Sequence, residues 1–372
     1  MVQELEMDRA IDGLTSESTQ GMPPLRVGLL GLGNVGGGTY RVLQRNAALI
    51  AARAGRRIAI DKVAVRNVAR ARQCVGHGVA VTDDPFELVQ DPERDVVVES
   101  IGGTTVARDL VMAAIAHGKH VVTANKALLA LHGDEVFAKA KVQGVIVNYE
   151  GAVAVSIPII KALREAYSAN RIDWVAGIVN GTSNFILSEM ESGGQGFQAA
   201  LQDAQRQGFA EQDPTFDVDG IDAAHKLTLL ASNAFGIPLS FHRIHVQGIR
   251  GIQVRDMECA GRLGYRIKLL AVARRVGEGI DMWVKPVLLQ ADQLLAQVDG
   301  SMNAVMVCAD VAGTSMHYGA GAGAEQTASA VIADLVDIAR WSGVAREQRI
   351  PSLAFNGIAV RAHPVNVTQE VF

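Results

Sequence analysis

Between Glu211 and Lys226 the chain sets five carboxylates (Glu211, Asp213, Asp217, Asp219, Asp222), His225 and Lys226 within sixteen positions. Such density is unfavourable through like-charge repulsion unless cations or a ligand amine balance it. The pattern predicts a helix over 221–234, ended by Gly236 and Pro238, with Asp222 and Lys226 four apart on one face. That pair reads in two ways. It is either a surface ion pair of little energetic weight, or a lysine acid/base whose placement is set by neighbouring carboxylates. A second lysine, Lys126, follows Val121-Val-Thr-Ala-Asn125, just past the C-terminal end of an expected parallel strand. Ligands of open α/β sheets bind at that edge. His242 and His245 lie three apart on an expected strand, so they face opposite sides and do not form a zinc pair.

These side chains need a scaffold, and the first half of the chain supplies a regular one. Apolar strands over 26–30, 60–65, 95–99, 119–122 and 145–149 alternate with helices over 34–52, 109–117 and 134–143. That rhythm predicts a parallel sheet buried on both faces. Beyond residue 150 the rhythm stops. Helices over 157–167, 196–207 and 221–234 mix with strands over 171–179, 244–249, 267–274, 282–289 and 304–309, as in an α+β domain.

At the first strand–helix junction stands Gly31-Leu-Gly33-Asn34-Val35-Gly36, a G-x-G-x-x-G turn. In a βαβ unit Gly31 makes the tight turn, Gly33 lets backbone approach a pyrophosphate, and Gly36 allows close helix packing. The phosphates then sit on the helix N-terminus. Where an NAD site places an acid for the ribose, after the second strand, this chain has Arg66. A guanidinium there either grips a 2′-phosphate or belongs to a solvated basic loop; the first reading makes NADP(H) preferred, with NAD(H) as the alternative. A late cluster, Gly319-Ala-Gly321-Ala-Gly323, opens an apolar run over 328–341. It reads equally as an anion-friendly helix start or as a close helix contact, and it suggests that the chain returns to its nucleotide domain.

Composition narrows the partners. A net charge of -4 with dispersed Lys and Arg excludes a nucleic-acid footprint and a basic membrane patch. Residues 1–24 carry acids, small polar residues and Pro23-Pro24, which reads as a disordered leader rather than a targeting signal. Three scattered cysteines, Cys74, Cys259 and Cys308, point to a reducing, cytoplasmic setting.

The chain resembles homoserine dehydrogenase from residue 25 to about 360. The likeness rests on Gly31–Gly36, Glu99-Ser100-Ile-Gly102-Gly103, Thr123-Ala-Asn-Lys126 and Tyr149-Glu150-Gly-Ala-Val153. It continues through Gly177-Ile-Val-Asn-Gly-Thr182-Ser-Asn-Phe-Ile-Leu187, Gly208-Phe-Ala-Glu211, Asp217–Lys226 and the Gly319–Gly323 cluster. The resemblance implies NAD(P)H-dependent interconversion of L-aspartate 4-semialdehyde and L-homoserine. It implies a Rossmann-type domain over 25–149 completed by about 318–372, and an α+β substrate-binding and dimerisation domain over 150–317.

By the same resemblance, Lys226 exchanges a proton with the substrate oxygen and Lys126 lies by nicotinamide and substrate. Glu211, Asp222 and Asp217 meet the substrate's amino end, and Thr182 joins the substrate residues. Ser100, Gly102, Gly208, Gly321 and Gly323 join Gly31, Gly33, Asn34, Val35, Gly36, Arg66 and Lys126 around the cofactor. Glu150, Val153, Val155 and Ile157 correspond to a monovalent-cation loop, and a homodimer or homotetramer is implied. The chain stops eight residues after Pro364. The expectation is therefore the form without an ACT domain or a fused aspartate kinase, free of ACT-mediated threonine inhibition.

Two other readings compete: a nucleotide-sensing regulator without chemistry, and an oxidoreductase for another semialdehyde. The intact Lys126, Glu211, Asp222 and Lys226 set weighs against the first. The lack of a cysteine in a catalytic context weighs against the phosphorylating semialdehyde enzymes.

Overall fold

A computed structural model describes residues 22–351 and 359–360. The expected leader falls, up to residue 21, outside the described residues. These residues divide into two compact units, one of 22–128, 135–151 and 323–351, the other of 129–134, 152–322 and 359–360.

The first unit holds six strands: β1 (Leu25–Leu30), β2 (Ile58–Ala64), β3 (Ala80–Thr82), β4 (Val96–Glu99), β5 (His120–Thr123) and β6 (Val147–Asn148). All pair in parallel, in the order β3-β2-β1-β4-β5-β6. This is the doubly wound order, whose switch point lies between β1 and β4. Val27, Leu29, Val96 and Val98 are fully buried, as continuous apolar strands covered on both faces require. Strand β3 carries no such run. It is three residues of a sheet edge, Ala-Val-Thr, none of them buried, and the sequence pattern passed over it.

The helix expected over 34–52 is two helices, Asn34–Arg45 and Ala47–Ala54, meeting at Asn46. Asn46 sits at φ -109°, ψ 22°, outside the helical region, as a residue that caps more readily than it continues a helix does. The helix Ala324–Trp341 returns to this unit, its Val331, Leu335 and Ile338 sharing one core with Val42, Leu43 and Ile50. Gly38 permits the approach, since a Cβ there would come 2.6 Å from the Ala324 carbonyl oxygen.

The second unit is α+β. Its sheet runs β12 (Gly313–Ala320), β11 (Met302–Ala309), β7 (Ile172–Ile178), β9 (Tyr265–Val276), β10 (Gly279–Gln290) and β13 (Ala359–Val360), with β8 (His245–Val246) beside β10. Two boundaries differ from the sequence reading, which gave 318–372 to the nucleotide domain. Residues 313–320 form strand β12, paired with β11, because in a small, polar stretch the backbone ladder rather than apolar patterning sets the strand. Ala359–Val360 pairs with Gly279–Ile280 of β10, also in this unit. His242 and His245 do not share a strand: His242 belongs to a 3-10 turn, Phe241–Arg243. Among the described residues no helix is long and apolar enough to cross a membrane.

Candidate active site

The first unit builds a phosphate-type turn from its glycines. Gly31 follows β1 at φ +89°, a left-handed conformation that favours glycine. A Cβ on Gly36 would press into the Gly31 carbonyl oxygen and lie 2.8 Å from Ser100 Oγ. Ser100 Oγ in turn donates to the carbonyls of Leu30 (2.8 Å) and Gly31 (3.2 Å), fixing the turn from the neighbouring β4 edge. At Gly33, by contrast, a Cβ would meet nothing within 4 Å. Protein packing does not demand that glycine. The helix Asn34–Arg45 starts with no side-chain cap and no acid in its first turn, so its leading N–H groups, at Asn34 and Val35, are left to an anionic ligand or water. The donor set and the bare backbone fit a dinucleotide pyrophosphate. Arg66 is exposed two residues beyond the end of β2.

At the C-terminal ends of β4 and β5 a second set of groups converges. Glu99 is buried, and its Oε1 accepts the N–H groups of Ile101 (2.9 Å) and Gly102 (3.0 Å). Its Oε2 accepts the hydroxyl of Thr123 at 2.6 Å. Asn125 caps the helix Lys126–Gln143 through the Leu128 N–H (3.1 Å) and donates to the Gly103 carbonyl (2.7 Å). Lys126 is the first residue of that helix, at the strand edge where the sequence reading placed it.

The second unit resolves the acidic cluster. Asp213 accepts the Thr215 N–H (3.1 Å), and hydrogen bonds from Thr215 hold its carboxyl below the usual range. Asp219 pairs with Arg250. Asp217 and Asp222 meet around Asn180, whose Nδ2 donates to Asp217 Oδ1 (2.7 Å) and Asp222 Oδ2 (2.8 Å). Lys226 Nζ donates to the same Asp222 oxygen at 2.7 Å and to the Val179 carbonyl at 2.6 Å. The side chains of Lys226 and Asp222 are only 8% and 5% exposed. A surface pair is thereby ruled out. Burying both charges is unfavourable unless neighbours bond them, and Val179 and Asn180 supply those bonds. His225 packs between the rings of Phe216 and Phe241, with centroids at 5.2 and 4.5 Å.

Glu211 stands outside this bonded set, its residue exposed on the loop after the helix Phe197–Arg206. Thr182 Oγ1 donates to the Phe209 carbonyl (2.7 Å), tying that loop to the start of the helix Gly181–Gly193. Gly208 turns the same loop at φ +77°. The late glycines part company. Gly321 lies against the Asn303 amide in the second unit, and Gly323 precedes the helix Ala324–Trp341 in the first. Glu150 is buried at the start of a 3-10 turn in the first unit. In the second unit Val153 and Ile157 lie on either side of a turn in which Ala154 and Val155 have positive φ, +51° and +46°.

Sequence reasoning assigned no role to Asn180 or Glu99. Asn180 was legible as an N-cap, a short polar residue between an apolar strand and a helix. Its grip on two acids 37 and 42 positions away was not.

A family model described as homoserine dehydrogenase, NAD binding domain, matches residues 31–150, and one described as homoserine dehydrogenase matches 158–336. The chain is similar to the homoserine dehydrogenase of Pseudomonas aeruginosa, 55% identical over 344 residues, covering 92% of this chain and 79% of the relative. The Neisseria gonorrhoeae homoserine dehydrogenase is 51% identical, with 94% and 80% covered. Among solved structures, a homoserine dehydrogenase from Thiobacillus denitrificans aligns with TM-score 0.88 at 56% identity, over 93% of this chain and 80% of that one. A hyperthermophilic archaeal homoserine dehydrogenase in complex with NADPH aligns with TM-score 0.72 at 25% identity, over 85% and 97%.

Proposed function

Because the chain belongs to the homoserine dehydrogenase family, NAD(P)-dependent oxidoreductases that act on the CH–OH group of homoserine in amino-acid biosynthesis, we propose specific roles for its residues. The observation that carries them is the buried Lys226–Asp222 pair, bonded to Val179 and Asn180. The nicotinamide supplies or accepts the hydride when bound. Lys226 gives its proton to the aldehyde oxygen of L-aspartate 4-semialdehyde as negative charge develops there, and takes it back from homoserine. Asp222 holds that ammonium in place. Asp217, Asp222 and Glu211 provide negative charge for the substrate's α-ammonium, and Thr182 sets the loop that carries Glu211. Lys126 serves at the strand edge of the cofactor unit.

NADP(H) is the preferred cofactor in this reading, supported by the exposed Arg66 after β2 where an acid would suit NAD(H). The left-handed turn at Ala154 and Val155 supports a monovalent cation on the backbone carbonyls of Val153, Val155 and Ile157. The family relationship supports a homodimer or homotetramer and a cytoplasmic enzyme.

The test is oxidation of NADPH and of NADH with L-aspartate 4-semialdehyde. Arg66→Glu is expected to raise KM for NADPH about tenfold or more, through loss of a charge-assisted bond, while KM for NADH stays near its starting value. Equal effects on both cofactors would remove Arg66 from the 2′-phosphate site.

A further inference from the structure

The strand-edge network of the first unit is closed on itself. Glu99 Oε1 holds the N–H groups of Ile101 and Gly102, and its Oε2 holds the Thr123 hydroxyl. Thr123 Oγ1 accepts the Asn125 N–H at 3.0 Å, and Asn125 Nδ2 returns to the Gly103 carbonyl. One carboxylate thus meets three donors, which an acceptor-only group can satisfy and an amide cannot. Glu99 and Thr123 are both essentially without exposure, 1% and 0%.

The network has a loop to hold. Gly102 and Gly103 both adopt left-handed φ, +75° and +76°. A Cβ on either would meet nothing within 4 Å, so neighbouring side chains do not wedge this backbone into shape. The hydrogen bonds to Glu99 and Asn125 do that. The same bonds fix the start of the helix that begins with Lys126.

Position then gives the network its object. In the doubly wound order each half of the sheet serves one mononucleotide. Arg66 follows β2, on the β2–β3 side of β1, whereas Glu99 and Thr123 end β4 and β5 on the other side. We propose that Glu99 is a positioning residue for the nicotinamide half of the dinucleotide, shaping through Thr123 and Asn125 the strand-end loop and helix start on which that half rests. The inference rests on the dinucleotide reading of the glycine turn. It is separate from the preference for NADP(H).

Calorimetric titration of the whole chain with NADPH, and with the adenosine-side fragments 2′,5′-ADP and 5′-ADP, tests it. Glu99→Ala should raise the Kd of NADPH about tenfold to a hundredfold, the range for buried donors left without a charged acceptor. Both fragments should stay within about twofold of their wild-type affinity, as expected when their own contacts are untouched. Glu99→Gln keeps an acceptor for the two loop N–H groups but loses the one for the Thr123 hydroxyl, and should recover part of the loss. Equal weakening of NADPH and fragments would make Glu99 a general support of the fold and overturn the proposal, as would an unchanged NADPH affinity. Should Glu99→Ala not be obtained folded, Thr123→Val, close in shape and lacking only the hydroxyl, faces the same two criteria. If wild-type protein binds 5′-ADP as tightly as 2′,5′-ADP, the preference for NADP(H) fails. The role of Glu99 is then decided by NADH against 5′-ADP.

Discussion

Lys226→Met is expected to lower kcat/KM for L-aspartate 4-semialdehyde by about 10²- to 10⁴-fold, the span attributed to a placed general acid. Methionine keeps the length of the side chain and removes the ammonium. It also strands Asp222 in a buried position without its cation, which for buried pairs costs about 3–5 kcal/mol of stability. The two effects are separable. Chemical denaturation reads the stability loss, and titration with NADPH reports whether the cofactor unit is intact. With NADPH affinity retained, the drop in turnover belongs to the proton step. Lys226→Arg sharpens the result, because a guanidinium keeps the charge beside Asp222 but cannot be deprotonated at working pH. It should restore stability without restoring turnover. Near-full turnover in the Met variant would sink the assignment.

The second large effect concerns the glycine turn, where two neighbouring glycines should behave differently. Gly36→Val drives a side chain into the Gly31 carbonyl and Ser100, so it should cost about 1–3 kcal/mol of stability as overpacking does. NADPH affinity should fall with it. Gly33→Val places its side chain where the protein has no atom within 4 Å, and Gly33 has an ordinary φ of -73°. Gly33 is the N-cap of its helix, where valine is less favourable than glycine, so the stability loss of this variant should stay within about 1 kcal/mol. Its NADPH affinity should nevertheless drop at least about tenfold, because the side chain occupies the approach to the helix N-terminus. Parallel thermal unfolding and NADPH titration check the contrast. Retained affinity in Gly33→Val would show that no pyrophosphate lies there.

What the sequence disclosed follows from what each kind of signal can carry. The turn at Gly31, Gly33 and Gly36 was readable because it depends on missing side chains at fixed spacing, a purely local property. The Asp222–Lys226 pair was readable as a pair, since four positions on a helix fix a shared face. Its burial was not, because burial belongs to what packs over the helix. The same gap hid Asn180 and Glu99, whose distant partners lie 24 to 42 positions away. Strands β3 and β12 escaped for another reason. Both lie at sheet edges, where short or polar segments are held by the ladder rather than by an apolar pattern. The acidic cluster, finally, looked like a single site, and the structure divides it between a turn cap, an ion pair with Arg250, the two acids around Asn180, and Glu211 exposed on its own loop.

The helix Ala324–Trp341 also dictates when the cofactor unit becomes whole during synthesis. Its apolar face completes the core around Val42, Leu43 and Ile50, yet it leaves the ribosome only after residues 152–322. At about 5–20 residues per second that interval is on the order of 10–30 s. During it the β1–β6 sheet is made but lacks one of its covering helices. Most of the second unit, residues 152–322 without strand β13, is translated in the meantime and has time to fold before the nucleotide-binding half can close.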